Sequence, residues 1–487
     1  MRHRRLKPET IARGSLRTPL LVAAALVALV KSIEFAVDSQ AIFFVDSGAY
    51  MLNALRLAFV PFRSYVYGDL IRVFALPFHS LSAIVAMQIT MGGLTAWILA
   101  FALLRFFGVR AAIAIAAAIV FAVDPVQIVH EHLVLSETAA MLATAVFLVA
   151  ALKYLSAPAP WWLVVLSFAG MCLVSLRMVY LPVILIAAVL LPPAAYFPES
   201  APGVSRRKRL RLLALALMVS CGSTFVFQSG YRHWTGRLAG REPAWHYSTG
   251  YFLLAAVSPI VESRDTADRR VADAITAQNE NGLPLITALR NAQLWEDAGL
   301  IARLRQVLGG DKAADEAAQQ VARAAIRRNP LGFLRLGLVN YVNFWLQIPK
   351  VRRMLEEENG MRAPPSMSPR EGFAISSAFG EDVSHQDTWR TPSRRYHIAA
   401  GYWNVFLLLS PFLAALAFWR GRANPKANPK GLALLLVWSC LLLTATCLGG
   451  VESAYRFLHP FSFTGIAATA VLAEIAAGRE RGSGHAL

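Results

Sequence analysis

The stretch "TPLLVAAALVALVKSIEFAVDSQAIFFVDSGAYMLNALRLA", Thr18 to Ala58, decides how the chain is read. Its first part is apolar except for Lys31 and Glu34, and it is long enough for a helix to cross a hydrocarbon core about 30 Å thick. Asp46, Tyr50 and Asn53 follow soon after such a helix would leave the bilayer. A basic tail, "MRHRRLKPETIARGSLR", precedes it. Secretory signals share that order, but no small-residue cleavage site follows and more apolar runs come later, so the segment reads as an uncleaved first membrane helix.

The rest of the chain agrees. Of 487 residues, 56% are hydrophobic and only 16% charged, which disfavours a water-soluble globular protein and predicts an all-α polytopic membrane protein. At about 20 apolar residues per helix, roughly ten transmembrane helices are expected. They lie near 18–38, 80–104, 110–123, 135–153, 161–176, 178–196, 211–229, 400–419, 432–449 and 457–476. The formal net charge of +18 would point to nucleic acid in a soluble domain, but here Lys and Arg gather in short blocks beside apolar runs. They read as orientation signals, and no nucleic-acid partner is expected. Four cysteines, Cys172, Cys221, Cys440 and Cys447, lie inside apolar runs and give neither a disulfide framework nor a cysteine metal cluster.

Ten spans put the amino-terminal tail, "SRRKRLR" (Ser205 to Arg211), "RGRANPKANPK" (Arg420 to Lys430) and the tail after Arg479 on one side. Basic short loops are cytoplasmic, so both termini are expected in the cytoplasm and the protein in the plasma (inner) membrane. "PLGFLRLGLVNYVNFWLQI" (Pro330 to Ile348) resembles a span, but counting it would move "RGRANPKANPK" outside. It is read as an interfacial amphipathic helix. Three parts follow: an amino-terminal transmembrane module over 1–229, a mostly helical extracytoplasmic region over 230–399, and carboxyl-terminal helices with a cytoplasmic tail over 400–487.

Ionisable groups at a membrane boundary are costly, and four sets fall at expected outer ends of helices. Asp46 is the first; a helix N-cap is its simplest reading. Asp124, His130, His132 and Glu137 crowd "DPVQIVHEHLVLSE". Asp-Pro is a turn signal, and His-Glu-His lacks the HExxH spacing of zinc helices. Arg177 stands alone between two apolar runs, either snorkelling or offering a planar fork of donors to a phosphate. Glu452, Arg456 and His459 share "GGVESAYRFLHPFSF", where an i,i+4 Glu452–Arg456 pair would account for two of them. Their shared side is the informative feature.

In order, these segments resemble the GT-C superfamily of membrane glycosyltransferases, especially the branch with protein O-mannosyltransferases and the lipid A aminoarabinose transferase. "VDSGAYMLNALRLA" is similar to the first-loop signature, with Ser47 where the family usually has Glu after Asp. "DPVQIVHEHLVLSETAAML", "GMCLVSLRMVYLPV", "AIRRNPLGFLRLGLVNYVNFW" and "ESAYRFLHPF" resemble later segments. Together they cover most of the membrane half, while Tyr231 to Arg328 resembles nothing identified. The resemblance implies transfer of a sugar from a polyprenyl-phosphate donor to an acceptor at the outer face, usually with inversion. It implies Asp46 as base, Glu137 as second carboxylate, and Arg177 and Arg456 as ligands of the donor phosphate. Tyr50, Asp124, His130, His132 and Glu452 are further candidates. A divalent metal is used by some relatives and not by others, and the acceptor is not specified.

Independently of that likeness, a lipid-linked donor keeps its phosphate at headgroup level, where these residues are expected. A transporter or lipid-linked-sugar flippase is the competing class; it predicts ionisable residues at mid-membrane and paired halves. Lys31 and Glu34 favour it, but no repeated half is visible.

Overall fold

The computed structural model describes residues 13–44, 46–57, 60, 63–196, 205–346, 368–383, 393–422, 428–453 and 455–483. Among the described residues the architecture is all-helical, with a single isolated β-bridge between Ile42 and Leu133. Helix α1 (Arg13–Val37) leads into two short helices, α2 (Ser47–Leu55) and α3 (Tyr65–Phe74), and then α4 (Ser82–Phe106). Next come α5 (Ala111–Ala122), α6 (Pro125–His132), α7 (Glu137–Ser156), α8 (Pro160–Leu176), α9 (Tyr180–Tyr196) and α10 (Arg206–Ala239). Five short helices follow: α11 (Thr249–Val257), α12 (Arg269–Asn281), α13 (Arg290–Trp295), α14 (Leu300–Leu308) and α15 (Asp311–Arg328). The chain continues through α16 (Pro330–Leu346), α17 (Pro369–Phe379), α18 (Ser393–Gly421), α19 (Pro429–Gly449) and α20 (Phe461–Ser483).

Among the described residues six helices, α1, α4, α7, α10, α18 and α19, contain segments long and apolar enough to cross a membrane. These lengths and compositions are those of a multi-pass membrane protein. A seventh crossing is available if α5 and α6 act as one span, bent by 45°. The sequence explains that bend: Asp124 accepts hydrogen bonds from Val126 N and Gln127 N, and Pro125 sits at the first helical position, so the chain restarts as a new helix. The other places expected to hold spans carry the shorter apolar helices α8 and α9 and the apolar part of α20, Phe461–Ala477.

Two hydrophobic cores are present among the described residues. The larger joins α1 through α10 with α16 through α20, while the smaller, whose buried residues lie within 251–325, unites α11 through α15 and also receives Phe333 and Val451. Val271, Ala274, Ile275 and Gln278 of α12 recur at helical spacing on its buried face. Helix α16 packs against α19, where Asn340 Nδ2 donates to Cys447 O (2.7 Å) and Gly450 O (2.9 Å). Its opposite face exposes Leu331, Leu334, Leu338 and Val342.

The first loop folds back on the bundle. Ile42 N donates to His132 O (2.8 Å) and Val134 N to Ile42 O (3.0 Å), which fixes that loop to the segment entering α7. Helices α2 and α3 then pack closely, because Gly68 has no Cβ to meet Asn53 Cβ, which would be 2.9 Å away.

Candidate functional site

The pairing of residue 42 with 132–134 brings α2 to the start of α7. Tyr50 Oη lies 3.3 Å from Ser136 Oγ, and that hydroxyl donates to Leu176 O (3.2 Å) at the end of α8. Asp46 precedes α2 with right-handed helical backbone and makes no side-chain cap, so the N-cap reading is corrected. Its carboxylate faces two arginines instead. Oδ1 accepts from Arg63 Nη2, and Oδ2 accepts from Arg456 Nη1 (2.8 Å).

A second ion pair lies alongside. Arg177 Nη1 donates to Glu137 Oε1 (3.0 Å) and approaches Arg456 O (3.4 Å). The guanidinium carbons of Arg177 and Arg456 lie 5.1 and 5.3 Å from the centre of the same Phe457 ring. Phe44 packs against Arg456 at 5.4 Å. These rings pack against the planar cations, an arrangement favoured by the attraction of a cation to an aromatic face.

The expected Glu452–Arg456 pair is replaced by different partners. Arg456 binds Asp46, while Glu452 Oε2 accepts from Asn291 Nδ2 (3.1 Å). Burial pushes the Glu452 carboxyl up, with Arg456 pulling against it. For Asp46, burial alone would also raise the pKa, but Arg456 and Arg63 together outweigh it and hold the carboxyl below its ordinary value. Burial, then the charges of Glu137 and Asp46, push Tyr50 up to about 12, so its phenol remains a neutral donor.

Asp124, His130 and His132 lie apart from this centre. Asp124 is the cap of α6. His132 contacts Ile128 O (2.9 Å) and Asp38 O (3.1 Å) through its two ring nitrogens. His130 packs edge-on against His459, ring centres 4.4 Å apart. Beside them runs a buried chain of polar contacts. Lys31 Nζ donates to Glu34 (2.8 Å) and Glu131 (2.6 Å), Gln127 Nε2 to Glu131 (2.8 Å), and His459 Nε2 meets Gln127 Oε1 at 2.8 Å. No group of three or more His, Cys, Asp or Glu side chains suited to holding a metal occurs among the described residues.

Thus the structure joins Asp46, Tyr50, Glu137, Arg177 and Arg456, sets Glu452 at their edge, and leaves Asp124, His130 and His132 to the neighbouring network. Sequence reading missed Arg63, Ser136 and His246. Arg63 gave the same signal as Arg177, a lone cation in an apolar context, within "FVPFRSYVY". His246 is neutral: burial and the nearby Arg63 charge lower it to about 4. Compared with known proteins, the chain matches no family model, no curated protein and no solved structure.

Proposed function

We propose that this protein is an integral-membrane glycosyltransferase that moves a sugar from a polyprenyl-phosphate donor to an acceptor hydroxyl at the outer membrane face. In this reading α8, α9, α20 and the bent α5–α6 pair complete ten crossings, with both termini cytoplasmic. The observation that carries it is the Asp46 carboxylate held between Arg63 and Arg456, with the Arg177–Glu137 pair alongside. Three guanidiniums face two carboxylates, and Glu452 is biased towards its neutral form. The surplus single positive charge suits the monoanionic phosphodiester of a lipid-linked sugar.

The clamp on Asp46 also defines the chemistry. A carboxylate with a depressed pKa is a weak base, so Asp46 is restrained while both arginines hold it. A donor phosphate competes for Arg456 and Arg177, loosens that hold and returns basicity to Asp46. Asp46 then takes the proton from the acceptor hydroxyl as its oxygen attacks the anomeric carbon from the opposite face. The bond from that carbon to the phosphate oxygen breaks, and polyprenyl phosphate departs with its added charge on the arginines. Configuration inverts.

A transporter or flippase is the second reading, favoured by one observation: the buried Lys31–Glu131–Glu34 cluster where α1 meets α6. Mass spectrometry of envelope glycans and glycolipids separates the two, using a strain lacking the gene and complemented with wild type or Asp46→Asn at equal membrane abundance. A sugar-sized mass restored by wild type and not by Asp46→Asn supports the transferase. Full restoration by Asp46→Asn sinks it.

A further inference from the structure

Beside the Asp46 centre lies a group of side chains that the transfer step does not use. Arg63 is followed by Ser64, whose side chain caps α3, and by Tyr65 at its first turn. The Tyr65 ring meets Trp234 edge-on at 6.2 Å; Tyr231 lies 5.8 Å from Trp234 and stacks on Trp245 at 5.3 Å. His246 follows Trp245, near Arg63, and its Nε2 is buried without a hydrogen-bond partner. One turn before Tyr231, on the same buried stripe of α10, is Gln228, only 7% exposed. Neither its Oε1 nor its Nε2 has a hydrogen-bond partner.

A buried amide with both ends unmatched is costly, and such groups are rare in native folds. A bound group that both donates and accepts hydrogen bonds relieves that cost. Aromatic faces alone would fit a lipid tail, but a hydrocarbon leaves Gln228 and His246 unsatisfied. A sugar ring satisfies all three features: its C–H faces lie on aromatic rings, while its hydroxyls both donate to and accept from an amide and a neutral imidazole. Its depth fits as well. Gln228 lies roughly 26 Å of helix beyond Arg211, near the boundary opposite the basic block.

We infer that Gln228, Tyr231, Trp234, Tyr65 and His246 form the acceptor subsite, and that the acceptor is a neutral carbohydrate. This rests on the transferase reading for the word acceptor, but not for the binding itself. The donor phosphate stays on the arginines, and Arg63 separates the two ligands while touching Asp46. The hydroxyl to be glycosylated then approaches the carboxylate from the aromatic side.

The test is saturation-transfer NMR on the full-length protein in detergent with a panel of methyl hexosides and pentosides, comparing wild type, Asp46→Asn, Gln228→Leu and Trp234→Ala. At least one glycoside is expected to give a signal in wild type and Asp46→Asn, falling fivefold or more in both other variants. Gln228→Leu is expected to melt no lower than wild type, since it removes an unmatched buried amide. Absence of signal from every glycoside, or a signal unchanged by Gln228→Leu and Trp234→Ala, overturns the inference. So does a signal lost only in Asp46→Asn, which assigns the sugar to the donor side, or a Gln228-dependent signal from a serine/threonine peptide in place of sugars. The two readings fail separately. Failed glycoside binding beside a glycolipid change in Asp46→Asn removes only the subsite, whereas Gln228-dependent binding beside an unchanged glycolipid profile removes only the transferase.

Discussion

Asp46 divides its two carboxylate oxygens between arginines from distant parts of the chain. Asp46→Asn keeps the shape and removes both the proposed base and the counter-charge to Arg63 and Arg456. Transfer measured with a synthetic polyprenyl-phosphate sugar should fall by roughly 10²–10⁴-fold. The melting temperature should fall too, and inorganic phosphate should recover part of it by replacing the missing anion between Arg63 and Arg456; no recovery would argue against an anion site. The pH signs follow from the shifts. Asp46, depressed in the folded state, contributes stability that is present above its ordinary 3.8 and lost only as pH falls through its lower folded value. His246 falls from 6.5 to about 4, so its contribution is complete above pH 6.5 and is lost as pH drops towards 4. Thermal melts of wild type should therefore decline across that window, and His246→Gln should flatten the decline; an equal slope in both would contradict a neutral buried imidazole. Asp46, Glu137, Arg177 and Arg456 were legible in the sequence because lone charges beside apolar runs are conspicuous. Asp46's partners were not, since which arginine reaches it depends on a loop fold that no local spacing encodes.

Local rules hold well at the element scale. Apolar runs became helices and Asp124–Pro125 became a break, while Pro330–Leu346, described over 17 residues, is no longer than α8 or α9. What local pattern hid was the reason α1 carries Lys31. With Glu34 in an apolar helix it looks like a transport residue, and in the fold it also meets Glu131 of α6, a helix that neighbours α1 only after packing. Gly92 of α4 makes room for that carboxylate: a Cβ there would lie 1.5 Å from Glu131 Oε1. Gly92→Ala should therefore destabilise by at least the ~1–3 kcal/mol typical of overpacking. Removing one partner strands a buried charge, so Lys31→Met should cost about 3–5 kcal/mol, while Lys31→Met with Glu131→Gln should recover at least half. Denaturation of the three variants in one detergent checks this. If the double variant is stable but abolishes export of a lipid-linked sugar while leaving transfer intact, the cluster serves transport and not structure.

For the whole molecule, the question is how the helical unit over 249–328, which has its own core, acts on the membrane site. The join combines apolar packing of Phe333 and Val451 on the unit's core with a set of polar contacts. Arg290, buried in that unit, donates from Nη1 to Ala256 O (3.2 Å) and from Nη2 to Asn340 Oδ1. Asn340 in turn holds Cys447 O and Gly450 O, and Ser453 Oγ donates to Asn340 O (3.0 Å). Asn291, next to Arg290, holds Glu452. Apart from the Ala256 bond, these contacts converge on the turn that precedes Arg456, and the unit is therefore expected to help position that arginine. Asn340 lies in the segment that resembles a span, but its partners lie about 50 and 110 positions away and left no local mark. Asn340→Leu keeps the volume and cuts the staple, leaving Arg290 without a side-chain acceptor there. The expected result is a rise in KM for the polyprenyl-phosphate donor of about tenfold or more with a smaller change in kcat, because Arg456 is misplaced before chemistry begins. Hydrogen exchange should show faster exchange around 447–457 and unchanged protection in 269–281. Equal loss of protection in both segments would mean that Asn340 supports folding of the helical unit, and the idea that the unit positions Arg456 would fail.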